Sequence, residues 1–310
     1  FSAATFHPHQ ADVTIKYFVQ TERYEQLRDH AISWAVVEPT IRALRWEAEE
    51  LLVLLAKRIR LFKFMTGRIE GDTISLTDLE NPALAYNEWR TFLPAVVRNR
   101  ALACDENSLV YFLRHTQLIP RQCIVSGNEV WEAFRKSKTT YITGKTVRYG
   151  IDSAERINSL DVLNAFSVFY PNADRMCEAI LRGMDVVTTQ DKILGSLDFK
   201  NDKRLSEYDE GSFIRLLCVS GIVGRKRENK RTDDLSIYDT ALFECERDGT
   251  IQFSSREELV VHPMFQKFIG ADRFAERTAH RPKAGMPKAG RGAIWFEKIK
   301  FVEQGIAPNA

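Results

Sequence analysis

Three groups of residues in this chain have types suited to chemistry, and each fails on spacing. Gly144-Lys145-Thr146 matches the end of a phosphate-binding loop, G-x-x-x-x-G-K-[ST], whose backbone N–H groups and lysine cradle phosphate. The first glycine of that pattern falls on Thr139, and the match is read as chance. Asp191, Asp198 and Lys200 spell a loose D…D-x-K. Metal-dependent nucleases hold such carboxylates where magnesium meets phosphate, on adjacent strands, whereas 188–197 reads as a helix. His7-x-His9, with His115, His262 and His280 scattered elsewhere, lacks the three or four convergent ligands that zinc requires. These histidines are expected to be exposed or locally hydrogen-bonded. No G-x-S-x-G is present, and Cys104, Cys123, Cys177, Cys218 and Cys245 include no CxxC pair. No catalytic residue and no metal site is therefore expected within this chain.

Binding chemistry is better represented. Arg225, Lys226, Arg227, Lys230 and Arg231 sit in RKRENKR, between two strand-like runs at Ile222–Arg225 and Asp239–Glu246. A helix is expected over Asp209–Val219, ended by Gly221 as a C-terminal cap. Helix, glycine, strand, basic loop and strand in that order form the sequence pattern of a winged helix–turn–helix, whose wing lies on the phosphate backbone. Its second helix is poor in donors: after the acidic Asp209-Glu210, the candidate exposed residues are Phe213, Arg215 and Ser220. A second basic segment, Arg273–Lys300, has eight Lys/Arg against two Glu, leaving a slightly acidic remainder in a chain of net charge +2. It is read as a tail, partly flexible, of a kind that contacts polyanions.

The elements that would position these residues are mostly helical. Val13–Val19 is β-branched and aromatic, as a core strand should be; a helix follows over Glu22–Asp29, then a strand over Ala35–Val37. Leu51, Leu52, Leu54, Leu55, Ile59 and Phe62 recur at helical spacing within Trp46–Phe64. Glycines and Pro82 make 66–85 a loop. Helices are then expected at Tyr86–Arg98, Ser108–Arg114 and from Pro120, in the first helical turn, to about Lys136. The polar stretch Ser137–Gly150 reads as a hinge. Short helices follow at Leu160–Phe169, Ala173–Arg182 and Thr188–Leu197.

Within this frame LRHTQLIPRQCIVSGNE, residues 113–129, resembles an element of bacterial P-loop ATPases of the STAND/AAA+ kind, a family first noted as hypothetical cyanobacterial proteins. Arg45-Trp46 with LLVLLAKRIR, FLPAVVRN (Phe92–Asn99), VTIKYFVQTERYEQL (Val13–Leu27), FIRLLCVSGIVG (Phe213–Gly224) and ELVVHPMF (Glu258–Phe265) carry the same resemblance. It covers roughly residues 13–270. The resemblance implies that Arg121, behind Pro120, is a sensor-2 arginine reaching a γ-phosphate from a helical lid. Gln20 and Thr21 would stand at the sensor-1 position, although Thr21 also suits an ordinary helix N-cap. ATP and Mg would belong to an intact parent protein, with none bound by this chain alone. No Walker A or Walker B segment accompanies these motifs, so the missing ATPase core half is the first partner implied.

The expected fold class is mainly α with small β: a remnant of an α/β P-loop core (1–45), a helical lid (46–150), a winged-helix-like domain (151–272) and the basic tail (273–310). The chain begins at Phe1, not Met, and is read as the C-terminal part of something larger. With 44% hydrophobic and 28% charged residues it has the composition of a globular protein. No run approaches the roughly 18 apolar residues of a membrane span, and Phe1–Phe18 has no basic start followed by an apolar run. An odd number of dispersed cysteines fits a reducing cytoplasm. The expected function is a molecular switch that senses nucleotide state through the lid. An alternative from a different class is a stand-alone regulator binding double-stranded DNA through its wing; a protein effector and an oligomer remain open.

Overall fold

Two glutamates decide where the first described helix begins. Glu47 and Glu50 form a capping box at the start of α1 (Ala48–Met65), with the Glu47 N–H donating to Glu50 Oε2 at 2.8 Å. Its buried residues, Ala48, Leu51, Leu52, Leu55, Ala56 and Ile59, repeat every three or four positions and form one face. The computed structural model describes residues 46–69, 75–99, 104–182, 185–195, 209–226, 241–243 and 256–265. All of these belong to the compact unit Ala43–Ala310. The strands and helix expected before Trp46, with Gln20 and Thr21, lie outside the described residues. So do Arg227, Lys230, Arg231, the basic tail, Asp198 and Lys200.

The next helix departs from the expected bounds. α2 runs Pro82–Phe92, with the Asn81 side chain accepting from the Ala83 N–H at 2.9 Å and Pro82 in its first turn. Pro82 starts the helix instead of breaking it, and Pro94 stops it by forcing Leu93 to extended backbone, φ −115°, ψ 151°. The residues beyond are strand β1 (Val96–Asn99), paired antiparallel with β2 (Cys104–Asn107) in register Val96↔Asn107 to Asn99↔Cys104. α3 (Ser108–Arg114) and α4 (Pro120–Lys136) fall where expected.

The expected hinge is a turn only as far as Thr143. Thr143 caps α5 (Gly144–Phe166), accepting from the Thr146 N–H, and this helix continues unbroken for 23 residues through Gly150. Gly144-Lys145-Thr146 is its first turn. Gly150 faces α4: a Cβ built there would lie 2.3 Å from Val130 Cα, so only glycine permits this backbone-to-backbone approach.

After α5 come α6 (Ala173–Leu181), β3 (Val187–Thr189), α7 (Gln190–Gly195) and α8 (Glu210–Val219). A strand thus occupies the start of the stretch expected to be wholly helical over 188–197. Gly221, at φ 68°, ends α8 in the left-handed conformation that favours glycine. Strands β4 (Val223–Lys226), β5 (Ala241–Phe243) and β6 (Glu258–Val261) complete a sheet of order β3-β6-β4-β5, antiparallel throughout. The protein is mainly helical with small antiparallel sheets.

Two apolar cores share α5. One gathers α1, α2 and α3 around Trp89 and Phe112 and takes Val147 and Ile151 from the N-terminal half of α5. The other gathers α8 and the four-stranded sheet around Phe213, Phe243 and Phe265 and takes Val162, Leu163 and Phe166 from its C-terminal half.

Candidate functional site

Between those cores α5 changes character. Glu155, Asn158 and Ser159 are buried, and each meets another element. Glu155 Oε1 lies 2.5 Å from His115 Nδ1, one residue past α3. Asn158 Nδ2 donates to the Gln122 carbonyl at 3.4 Å and to Ser126 Oγ at 3.3 Å, both on α4. Ser159 Oγ donates to the Met264 carbonyl at 3.0 Å, just beyond β6. The result is a buried polar seam between two apolar bodies. Such networks fix one arrangement, because a shifted register leaves polar groups unsatisfied.

Charge in the seam follows from burial. Burial pulls the His115 imidazole down to about 4, with Glu106 opposing the shift and Arg114 adding to it. Arg114, itself 2% exposed, pairs with Glu106. His262, between β6 and the turn at Met264, is pushed down to about 3 by burial, then by His115 and Arg114. It is neutral at ordinary pH, and its Nδ1 accepts from the Met264 N–H at 3.1 Å. Tyr111, whose ring lies 4.5 Å from His115 centre to centre, is held well above the ordinary phenol by burial and by Glu155. Both described histidines are locally hydrogen-bonded and buried, not exposed.

Arg121 stands at the edge of this seam, in the first turn of α4 behind Pro120. Its side chain is 76% exposed, and its Nη2 lies 3.0 Å from Asp161 Oδ2 on α5. An ion pair so open to solvent contributes at most about 1 kcal/mol and yields easily to another anion. The turn before it is tightly determined. Leu118 adopts φ 54°, a left-handed backbone that costs a branched residue energy, yet its side chain is buried. The Gln117 N–H donates to Gln122 Oε1 at 2.7 Å, and Gln117 Nε2 donates to the Ser220 carbonyl at 2.8 Å. Ser220 is the C-cap of α8. The turn that aims Arg121 is therefore hydrogen-bonded to the end of the helix that leads into β4.

The basic segment begins differently from expectation. Arg225 pairs with Glu257, with Nη2 3.3 Å from Oε2, so part of its charge is answered within the protein. Of the three candidates on α8, Phe213 and Ser220 are buried and only Arg215 is exposed. Phe213 serves the core, and the Ser220 hydroxyl bonds back to the Leu216 carbonyl at 2.7 Å. Lys226 ends β4.

Among the described residues no group of three or more His, Cys, Asp or Glu is placed to hold a metal ion, and no helix is long and apolar enough to cross a membrane. Gln117, Asp161 and Glu257 escaped the sequence reading because each acts through a contact formed only on folding. A glutamine three residues before the Pro-Arg pair gives no local sign of bonding to a carbonyl about a hundred residues away. No family model matches this chain, and neither a curated protein nor a solved structure shows significant similarity to it.

Proposed function

We propose that this chain is the nucleotide-sensing lid and winged-helix portion of a bacterial P-loop ATPase that acts as a molecular switch. The observation that carries the reading is the Arg121 turn: an exposed guanidinium on the first turn of a helix, aimed by a strained turn that also bonds to Ser220. A guanidinium so placed can give two parallel donors to a phosphate. The α8 end that receives Gln117 belongs to the series α6-β3-α7-α8-β4-β5-β6, in which β6 lies between β3 and β4. A winged helix has this order of helices and strands, and we read the series as one. Movement of Arg121 toward an anion would then be felt at α8 and β4, the coupling a switch requires if nucleotide favours one arrangement over the other. ATP and Mg would be held by the core half outside this sequence, with Arg121 neutralising phosphate charge from the lid side.

The DNA segment upstream of the Phe1 codon, translated in frame for about 200 codons, a domain's length, provides the first test. A P-loop followed by an apolar strand ending in paired acids is expected. A start codon close to Phe1 with no P-loop refutes the reading. In the full protein, Arg121→Ala is expected to slow ATP turnover by about 100-fold, the scale of one lost charge-stabilising donor; unchanged turnover would deny Arg121 the sensing role.

A stand-alone duplex-DNA regulator is the second reading, favoured by the pairing of β4 with β5 on either side of the basic 227–231 run. Replacing Arg227, Lys230 and Arg231 together by alanine should then abolish salt-sensitive duplex binding. Arg225 is the poorest of these candidates, since Glu257 already occupies it.

A further inference from the structure

The α4–α5 turn concentrates exposed positive charge and aromatic rings in one place. Residues 131–150 carry Arg135, Lys136, Lys138, Lys145 and Arg148 against a single acid, Glu132. Glu132 is engaged by Arg135 at 2.8 Å. Arg148 is buried, while Lys136, Lys138 and Lys145 are exposed, with no ion-pair partner among the described residues. Arg90, at the end of α2, is likewise exposed and lines the same neighbourhood.

Two tyrosines stand among these cations: Tyr141 is 70% exposed, and Tyr149, partly covered, is 48% exposed. The Lys145 ammonium lies 5.7 Å from the Tyr149 ring centre, and the Arg148 guanidinium 5.6 Å from it. Tyr141 and Arg90 border an open cleft of about 440 Å³ whose floor includes Phe92, Leu93, Pro94 and Ile142. Among the described residues no acidic side chain lines it. From Lys145 to Tyr149, both on α5, the helix advances about 6 Å along its axis, and Tyr141 lies just before its N-cap, Thr143. Among the described residues neither tyrosine hydroxyl has a hydrogen-bond partner that explains its exposure, and exposed aromatic rings between cations have no use in solubility.

We propose that this surface binds single-stranded nucleic acid, with Tyr141 and Tyr149 stacking bases and Arg90, Lys136, Lys138 and Lys145 meeting phosphates. Stacking needs a free ring face, and a strand of unpaired bases is the polyanion that supplies flat partners at regular intervals. Duplex DNA hides its base faces and would use the cations alone. None of these residues is Arg121 or belongs to the 225–231 run, so their substitution tests the surface apart from either reading of the overall function.

The test is fluorescence anisotropy of the full chain with a labelled 20-nucleotide oligothymidine, titrated at several salt concentrations. Four phosphate contacts predict a slope of log affinity on log salt near −2.8, about 0.7 per contact, so affinity should fall about 50-fold between 50 and 200 mM salt. Tyr141→Ser with Tyr149→Ser should weaken binding by about tenfold or more, as loss of stacked bases does. Lys138→Glu with Lys145→Glu should reduce the slope by at least about 1.4, half its value. All four positions are exposed, and an unchanged thermal melt shows that each variant is folded. Absence of binding at 50 mM salt, or binding that the tyrosine pair does not alter, overturns the proposal. So does polyglutamate that competes as well as the oligonucleotide, or a duplex of equal length that binds as tightly to a chain in which Arg227, Lys230 and Arg231 are replaced by alanine.

Discussion

Gly150→Ala should destabilise this protein although alanine is the better helix former. In an open helix interior the exchange stabilises by about 1 kcal/mol. At Gly150 the added methyl would lie 2.3 Å from Val130 Cα and 2.5 Å from Val130 N, whereas carbon atoms rest about 3.5–4.0 Å apart. Its obstacle is backbone, so no rotamer change relieves the clash, and α5 must retreat from α4 by about 1 Å. A gap of that size forfeits a quarter to a half of each contact, and a few tens of atom pairs at 0.1–0.2 kcal/mol then lose about 1–3 kcal/mol. The Asn158 bonds to Gln122 and Ser126, at 3.4 and 3.3 Å, have no slack and would break, costing about 1 kcal/mol each. After the helix-propensity gain, a net loss of about 2–4 kcal/mol remains, or roughly 5–15 °C in Tm for a unit of this size. Gly127→Ala is the matched control: it lies inside α4 with nothing within 4 Å of the new methyl, and it should raise Tm slightly. Thermal and urea unfolding followed by far-UV circular dichroism measure both. A Gly150→Ala protein as stable as the parent, or a Gly127→Ala protein equally damaged, would refute the close-approach argument.

Two further perturbations probe charge. Glu88 is buried and accepts from Lys63 at 2.7 Å and from Arg60 at 2.8 Å. Burial works to raise its pKa, but the bonds from Lys63 and then Arg60 outweigh it and hold the carboxylate below its ordinary value. Glu88→Gln leaves two cations facing each other and should cost about 2 kcal/mol in urea unfolding. The second perturbation is acid. His262 and His115 are neutral in the fold with depressed pKa values, about 3 and about 4, and titrate near 6.5 when unfolded. Their stabilisation is complete above pH 6.5 and is lost as the pH falls toward 4 and then 3, at about 1.4 kcal/mol per pH unit for each histidine. His262→Asn, which keeps an acceptor for the Met264 N–H, should halve the histidine share of the slope between pH 6 and 5. A slope unchanged by that substitution would mean His262 is not held neutral.

Much of the helical layout was legible where local signals are strong. The capped start of α1, the Pro-started α4, and α8 with its terminal glycine all carry boundaries in their own residues. α5 was not legible, because its buried face runs through Arg148, Glu155, Asn158 and Ser159, and a polar buried stripe conceals the 3.6-residue period. β1 and β2 were missed because short hairpin strands rich in Arg, Asn, Asp and Glu show no apolar alternation. Arg121 could be singled out from the Pro-Arg pair, but its partner Asp161 and the Gln117–Ser220 bond could not. Arg225 was picked for its charge, and only the fold brings Glu257 against it.

The shared helix has a consequence for how this protein can be taken apart. Because α5 contributes Val147 and Ile151 to one core and Val162, Leu163 and Phe166 to the other, neither body has a complete interior without it. Cutting the chain at the helix centre would strip a wall from both, and loss of order in one should drag the other with it. Melting of 46–265 is expected as a single cooperative event, not as two. A protein built this way resists division into interchangeable modules, and a change on one side of α5 is felt on the other.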